Sequence, residues 1–248
     1  MNKILGAIIG IATVVLLGLA TASIIDGKSK IADFTKYDAY SVIKADDFNG
    51  QIGDHIKGSA DAPVLIFEYA DYQCPGCASI NPRINKAIEA LDGKVAVVYR
   101  NFLLSYHQNG TAAASAAEAA GLQGYWKEYA NTLFAKQSEW EDLKSSTRTD
   151  TFKQYFVEVS EGKGDINKFV EDMKSDRVSK KIDFDMGLGK FISVEATPAL
   201  YVDGQDINWS GIGSITINGK VISWETSRGG EKELTELFTD IYNAKMGL

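Results

Sequence analysis

Apolar and polar positions divide the chain into stretches of different character. Residues 4–25, ILGAIIGIATVVLLGLATASII, contain no ionisable side chain. At about 1.5 Å per helical residue, 22 residues reach roughly across the 30 Å hydrocarbon core of a bilayer. This predicts an uncleaved anchor over residues 1–27, with Lys3 and the amino terminus inside and the body outside. Ala20-Thr21-Ala22 fits a cleavage site, so a signal peptide is the competing reading, and both export the remainder. A buried core helix is a third reading, against which stands the lack of any polar face. Asp26 to Asp54 mixes charges with short apolar pairs and reads as an extracytoplasmic tether over 28–53, with little core of its own beyond one edge strand at most.

The pattern then changes. Val64 to Ala70 is a short apolar run after Ala62-Pro63, as expected of a strand covered on both faces. Cys74 to Leu91 has helical spacing and Val95 to Phe102 is β-rich, which together predict a βαβ unit. From about Gln108 to Lys190 helix formers dominate, with Tyr125, Trp126, Tyr129 and Phe134 at the spacing of a helical core. Strand signals return at Ala199 to Val202. Asn218-Gly219 then stands between alternating runs as a type I′ hairpin signal. Glu231 to Lys245 closes as an amphipathic helix with Leu234, Leu237, Phe238 and Ile241 on one face.

Charge and composition narrow the function. With 26 Lys+Arg against 33 Asp+Glu, a net charge of -7, the chain lacks the basic stripe that phosphate backbones require, which argues against nucleic acid as a partner. Its 45% hydrophobic content argues against disorder. Two cysteines cannot by themselves build a disulfide-dense scaffold or a structural zinc site; a metal reading needs two further ligands, the only histidines are His55 and His107, and there is no second cysteine pair. No metal site is expected.

Both cysteines fall in Cys74-Pro75-Gly76-Cys77, between a predicted strand and a predicted helix. If Cys74 caps that helix and Pro75 takes its first position, the Cys74 sulfur faces free backbone N–H groups and the positive helix end. That setting favours the thiolate, which is the nucleophile. Cys77, one turn deeper, is placed to attack a mixed disulfide formed at Cys74. A plain disulfide staple is the bland alternative, but a bridge around two residues closes very little chain.

Asp54 to Cys77, DHIKGSADAPVLIFEYADYQCPGC, resembles the lead-in of the DsbA-like thiol-disulfide oxidoreductases of the thioredoxin superfamily. The stretch GLQGYWKEYANTLFAKQSEW and Glu195-Ala-Thr-Pro-Ala-Leu-Tyr-Val-Asp-Gly204 are similar to the same family. The resemblance implies an α/β thioredoxin fold over 54–248, a four- or five-stranded mixed sheet, and an inserted helical domain over about 107–190. It implies that Pro198 is a cis-proline against the active-site cysteines, which would turn the Thr197 backbone toward an extended substrate. A trans proline opening an edge strand is the alternative. Glu68 stands where the family carries a buried acid, which desolvation would suit to proton transfer with Cys77; its alternative is a solvent-facing edge residue. Pro75, Gly76 and Thr197 are the expected substrate contacts. Pro82 implies a helix kink, and His107, just ahead of the helical block, reads as a cap or loop residue, with contact to the active-site face as the alternative.

The implied activity is exchange of disulfides with cysteines of reduced or misoxidised exported proteins, most simply as a dithiol oxidase reset by a membrane redox partner. No bound cofactor is needed, since the electrons reside on the cysteine pair. Pro75-Gly76 lacks the histidine of the strongly oxidising enzymes of this family, which keeps open a reductase or isomerase, for example in cytochrome c maturation. A non-catalytic exported binding or chaperone module is the reading from a different class.

Overall fold

β-Branched and aromatic residues crowd the two runs predicted as strands, and these pair side by side at the centre of the sheet. The computed structural model describes residues 32–207, 211–225 and 234–248. The expected anchor of residues 1–27, its alternative cleavage site and the first residues of the closing helix lie outside them. No helix among the described residues is long and apolar enough to cross a membrane.

Strands β1 (His55–Lys57), β2 (Val64–Ala70), β3 (Val95–Asn101), β4 (Ala199–Val202) and β5 (Gln205–Asp206) form one sheet in the order β1-β3-β2-β4-β5. The β2–β3 pair is parallel and the other pairs are antiparallel, a mixed sheet. Every residue of β3 is buried, the pattern of a strand covered on both faces. Helix α1 (Pro75–Ala90) makes the crossover between β2 and β3. Between β3 and β4 the chain is helical: α2 (Gly110–Gly121), α3 (Trp126–Ala135), α4 (Gln137–Trp140), α5 (Ser145–Val159), α6 (Ile166–Asp172) and α7 (Asp176–Phe191). The architecture is an α/β thioredoxin fold with added helices between its strands. After the sheet, β6 (Ile212–Ile217) and β7 (Lys220–Glu225) form a hairpin, and α8 (Leu234–Met246) closes the chain. Asn218 and Gly219 both take positive φ, 50° and 78°, as a type I′ turn demands.

Two large clusters make up most of the core. In one, Ile80, Ile84, Val95, Leu200, Phe238 and Ile241 join α1, α8 and the hairpin. In the other, Tyr72, both cysteines and Tyr99 share a core with the helical block, including Trp126, Tyr129 and Phe134. The aromatic residues at helical spacing are therefore core, and they reach the active-site loop: Trp126 Nε1 donates to Tyr72 OH at 3.2 Å.

The described part of the expected tether differs from expectation, because residues 33–53 pack onto the domain. Asp33 to Leu248 form one compact unit. Ala39, Ile43 and Ile52 are buried, and Phe34 packs against Phe184 of α7 with ring centroids 5.5 Å apart. The physical reason is a buried cation. Arg100 of β3 donates to the carbonyls of Ala39 and Ser41 at 2.6 and 2.8 Å and to Asp54 at 2.7 Å, and so recruits this stretch to satisfy its guanidinium. The short apolar pairs that looked too sparse for a core lie over an already buried charge.

Candidate active site

The local sequence places the cysteines. Cys74 is the N-cap of α1, with extended φ and ψ, and Pro75 occupies the first turn. The Cys74 backbone N–H donates to Asp71 O at 3.0 Å, closing the turn that leads into the helix. Both cysteines are free thiols. Cys74 keeps 7% exposure and Cys77 none, so only Cys74 can meet a partner molecule without rearrangement.

Pro198 comes to the same place from the far end of the chain. The Thr197–Pro198 peptide is cis. The Cys74 sulfur lies 3.3 Å from Thr197 O. A Cβ on Gly76 would stand 3.1 Å from Pro198 Cδ and 3.6 Å from Cys74 Sγ, so glycine is what lets this loop approach the proline so closely. Cys74, Gly76, Thr197 and Pro198 thus form one surface. Pro75 is exposed beside it.

The two thiols have opposite electrostatics. Cys74 is lowered to about 5, chiefly by a hydrogen bond from Cys77, with further help from Thr197 and the backbone N–H groups of Gly76 and Cys77, against the opposing effect of burial. Thr197 Oγ1 has no protein hydrogen-bond partner among the described residues and is available to a thiolate. Cys77 is pushed well above its ordinary value, first by burial and then by the Cys74 sulfur. The Cys74 alkylation rate should therefore be flat near neutral pH and fall as pH drops through about 5. A rapid-quench iodoacetamide profile checks this, and a midpoint near the ordinary cysteine value of about 8.5 would contradict it.

Glu68 lies on β2, fully buried, and burial raises its carboxyl above the ordinary range while Lys57 opposes the shift. It is not a solvent-facing edge residue. Lys57 was not legible as a site residue. Its ammonium, 1% exposed, stands 3.7 Å from Glu68 Oε2 and donates to Asn81 Oδ1 at 2.6 Å. Burial lowers the Lys57 ammonium, against the attraction of Glu68 and Cys77. The residue sits on β1, eleven positions before Glu68 and two strands away, so no local motif joins them. A lysine at a buried strand position was the one available signal.

His107 is a loop residue and not the cap of α2, whose N-cap is Asn109. Its Nδ1 lies 2.8 Å from Oδ2 of buried Asp71, in the loop that leads to Cys74. Pro82 lies within α1, which continues unbroken from Pro75 to Ala90. Among the described residues no three His, Cys, Asp or Glu side chains gather as metal ligands.

Comparison with known proteins agrees with this arrangement. A family model described as thioredoxin matches residues 51–227. The oxidised form of BdbD from Bacillus subtilis superposes with a TM-score of 0.57 at 19% identity, covering 84% of this chain and 99% of that one. The alpha-DsbA1 of Wolbachia pipientis gives 0.53 at 21% identity, covering 78% and 91%. At these identities the likeness establishes the fold, which is DsbA-like. The Na(+)/H(+) antiporter NhaA 1 of Mycolicibacterium gilvum is 32% identical over 157 residues, 61% of this chain and 24% of that protein. The NhaA antiporter of Herminiimonas arsenicoxydans is 26% identical over 158 residues, 63% and 23% respectively. The chain spans about a quarter of the length of these curated relatives.

Proposed function

The chain belongs to the thioredoxin family, and from that premise we propose that it is an extracytoplasmic thiol-disulfide oxidoreductase acting mainly as a dithiol oxidase. The observation that carries the proposal is the asymmetry of the pair: Cys74, at the helix N-cap, keeps slight exposure and an acidic thiol, and Cys77 is fully buried with its thiol pushed up. A low pKa stabilises the reduced state through the Cys74 thiolate and makes that sulfur a good leaving group, which favours handing the disulfide on.

The reaction begins with Cys74 and Cys77 joined. A substrate thiolate attacks Cys74 Sγ, forming a mixed disulfide and expelling Cys77 as thiolate. Buried and of raised pKa, Cys77 takes a proton from the Glu68 carboxyl, and the resulting carboxylate is held by the Lys57 ammonium. A second substrate thiolate then attacks the substrate sulfur of the mixed disulfide and expels the Cys74 thiolate. The substrate leaves with a disulfide and two electrons remain on the enzyme. In this account Cys74 is the nucleophile in the reverse direction and the leaving group in the forward one, and Pro198 closes the pair against other nucleophiles. Pro75, Gly76 and the Thr197 backbone receive the extended substrate.

Reoxidation needs a redox partner at the membrane, and a tether through residues 4–25 would keep the two together. The antiporter activity in the names of the curated relatives is not proposed for this chain, which spans about a quarter of their length and whose site carries thiol chemistry. The test of function is oxidative refolding of a reduced, disulfide-containing substrate by the oxidised full chain, set beside insulin reduction. Faster refolding with weak insulin reduction supports the oxidase; the reverse pattern supports a reductase, and no effect in either assay leaves a binding module.

Glu68→Gln should slow formation of the mixed disulfide at least about tenfold while leaving the Cys74 titration in place, since the amide cannot supply the proton. Acid quenching, followed by alkylation of the released Cys77 thiol in the unfolded chain, reads that step. An unchanged rate would remove Glu68 from the mechanism.

A further inference from the structure

We propose that Asp71 and His107 form a positioning pair for the thiol-disulfide exchange assigned above, holding one peptide segment against both cysteines. The inference rests on that reading. Asp71 is the residue whose backbone serves the two sulfur-bearing residues at once. Its carbonyl accepts the Cys74 N–H at 3.0 Å, and its backbone stands by Cys77, where it lowers that thiol against the effect of burial. A small displacement of Asp71 therefore moves the start of α1 and the surroundings of Cys77 together.

The Asp71 side chain is what keeps that backbone in place. The carboxylate is fully buried. Its Oδ1 accepts from Gln73 N at 2.9 Å, and its Oδ2 accepts from Leu104 N at 2.9 Å and His107 Nδ1 at 2.8 Å. Gly110, first residue of α2, approaches so closely that a Cβ there would lie 2.9 Å from Oδ1. The loop joining β3 to α2 thus grips the loop joining β2 to α1 through one carboxylate. Tyr72 and Gln73 are also held, by Gln137 Nε2 on Tyr72 O and by Asn109 N on Gln73 Oε1, both at 2.7 Å, but neither reaches both cysteines. His107 makes the only side-chain grip on Asp71 among the described residues, through an imidazole that is 12% exposed.

Charge and position predict opposite results at Asp71. Removing a negative charge near Cys74 would by itself make the thiol more acidic. An amide, however, has a single acceptor oxygen, and donors approach both carboxylate oxygens, so Asp71→Asn sets an NH2 against a backbone N–H whichever way it is turned. If Asp71 positions the loop, its replacement makes Cys74 less acidic.

The experiment is the ultraviolet titration of the Cys74 thiolate in the reduced full chain, with the reduction potential against glutathione and the thermal midpoint of each variant. Asp71→Asn and His107→Leu are each expected to raise the Cys74 midpoint, lowering its iodoacetamide reactivity below pH 5 about five- to tenfold. His107→Asn, whose amide nitrogen occupies the place of Nδ1 without a charge, is expected to restore most of the wild-type midpoint. Should Asp71→Asn fail to fold, the two His107 variants decide alone. A wild-type or lowered Cys74 midpoint in Asp71→Asn and in His107→Leu overturns the proposal, even if both melt earlier, because the pair would then be structural only. The titration needs no turnover, so a wild type inactive in refolding and insulin assays would refute the exchange reading while leaving this result independent.

Discussion

Cys74→Ser is expected to bring both substrate oxidation and insulin reduction down to the uncatalysed rate while leaving the domain folded. A serine hydroxyl forms no disulfide and is not ionised near pH 5, so every step written through the Cys74 sulfur disappears. Folding should not suffer, because Cys74 makes no side-chain capping bond and serine is a preferred N-cap residue. Cys77→Ser should behave differently. It removes the thiol that releases a trapped partner, yet keeps a hydroxyl able to donate to the Cys74 sulfur, the interaction that does most to lower that thiol. Mixed disulfides through Cys74 should therefore accumulate on Cys77→Ser and vanish in the double variant. Mass spectrometry of the trapped adducts would identify the substrates. Equal behaviour of wild type and Cys74→Ser in both assays would end the enzymatic account.

The second large effect is on stability, at Arg100. Its guanidinium is buried, donates through Nε and Nη2 to Asp54 at 2.7–3.3 Å, and reaches Ala39 O, Ser41 O and Tyr69 OH as well. Burial alone would raise the Asp54 carboxyl, but Lys181 and Arg100 outweigh it and hold the group below its ordinary range. Arg100→Ala leaves that carboxylate in the core with Lys181 as its remaining cation and strands two backbone carbonyls of residues 33–53. The cost expected for breaking such a pair is about 3–5 kcal/mol. Urea denaturation of the reduced protein measures it, and a loss under about 1 kcal/mol would show that the packed stretch is held by its apolar residues instead. Arg100→Lys should recover only part, since an ammonium cannot reproduce the planar fork. Because Asp54 has a lowered pKa, its contribution is present above the unfolded value of about 3.9 and is lost as pH falls through the folded value.

What was legible in the sequence was whatever is written in neighbouring residues. The Cys-Pro-Gly-Cys run states its own cap and helix start, Val64 to Ala70 and Val95 to Phe102 state buried strands, and Asn218-Gly219 states its turn. The family resemblance supplied Glu68, on β2, and Pro198, just ahead of β4, both outside the cysteines' helix. Interactions closed across the sheet carried no such mark. Lys57 looks like any charged residue beside a glycine until β1 pairs with β3 and sets its ammonium over Glu68. Asp71 reads as a loop aspartate until His107, 36 residues later, reaches its carboxylate. Residues 33–53 looked like tether because their burial depends on Arg100, and an arginine in a strand does not announce which carbonyls it will collect.

The direction of electron flow is the central claim, and it rests on Cys74 being held near 5 rather than near the thioredoxin value of about 7. The measurement that tests it most directly is the equilibrium reduction potential of the Cys74–Cys77 couple in glutathione buffers. The account predicts a potential well above the thioredoxin value of about -270 mV and toward the DsbA value of about -120 mV. A potential at or below about -270 mV would contradict it and make the protein a reductase.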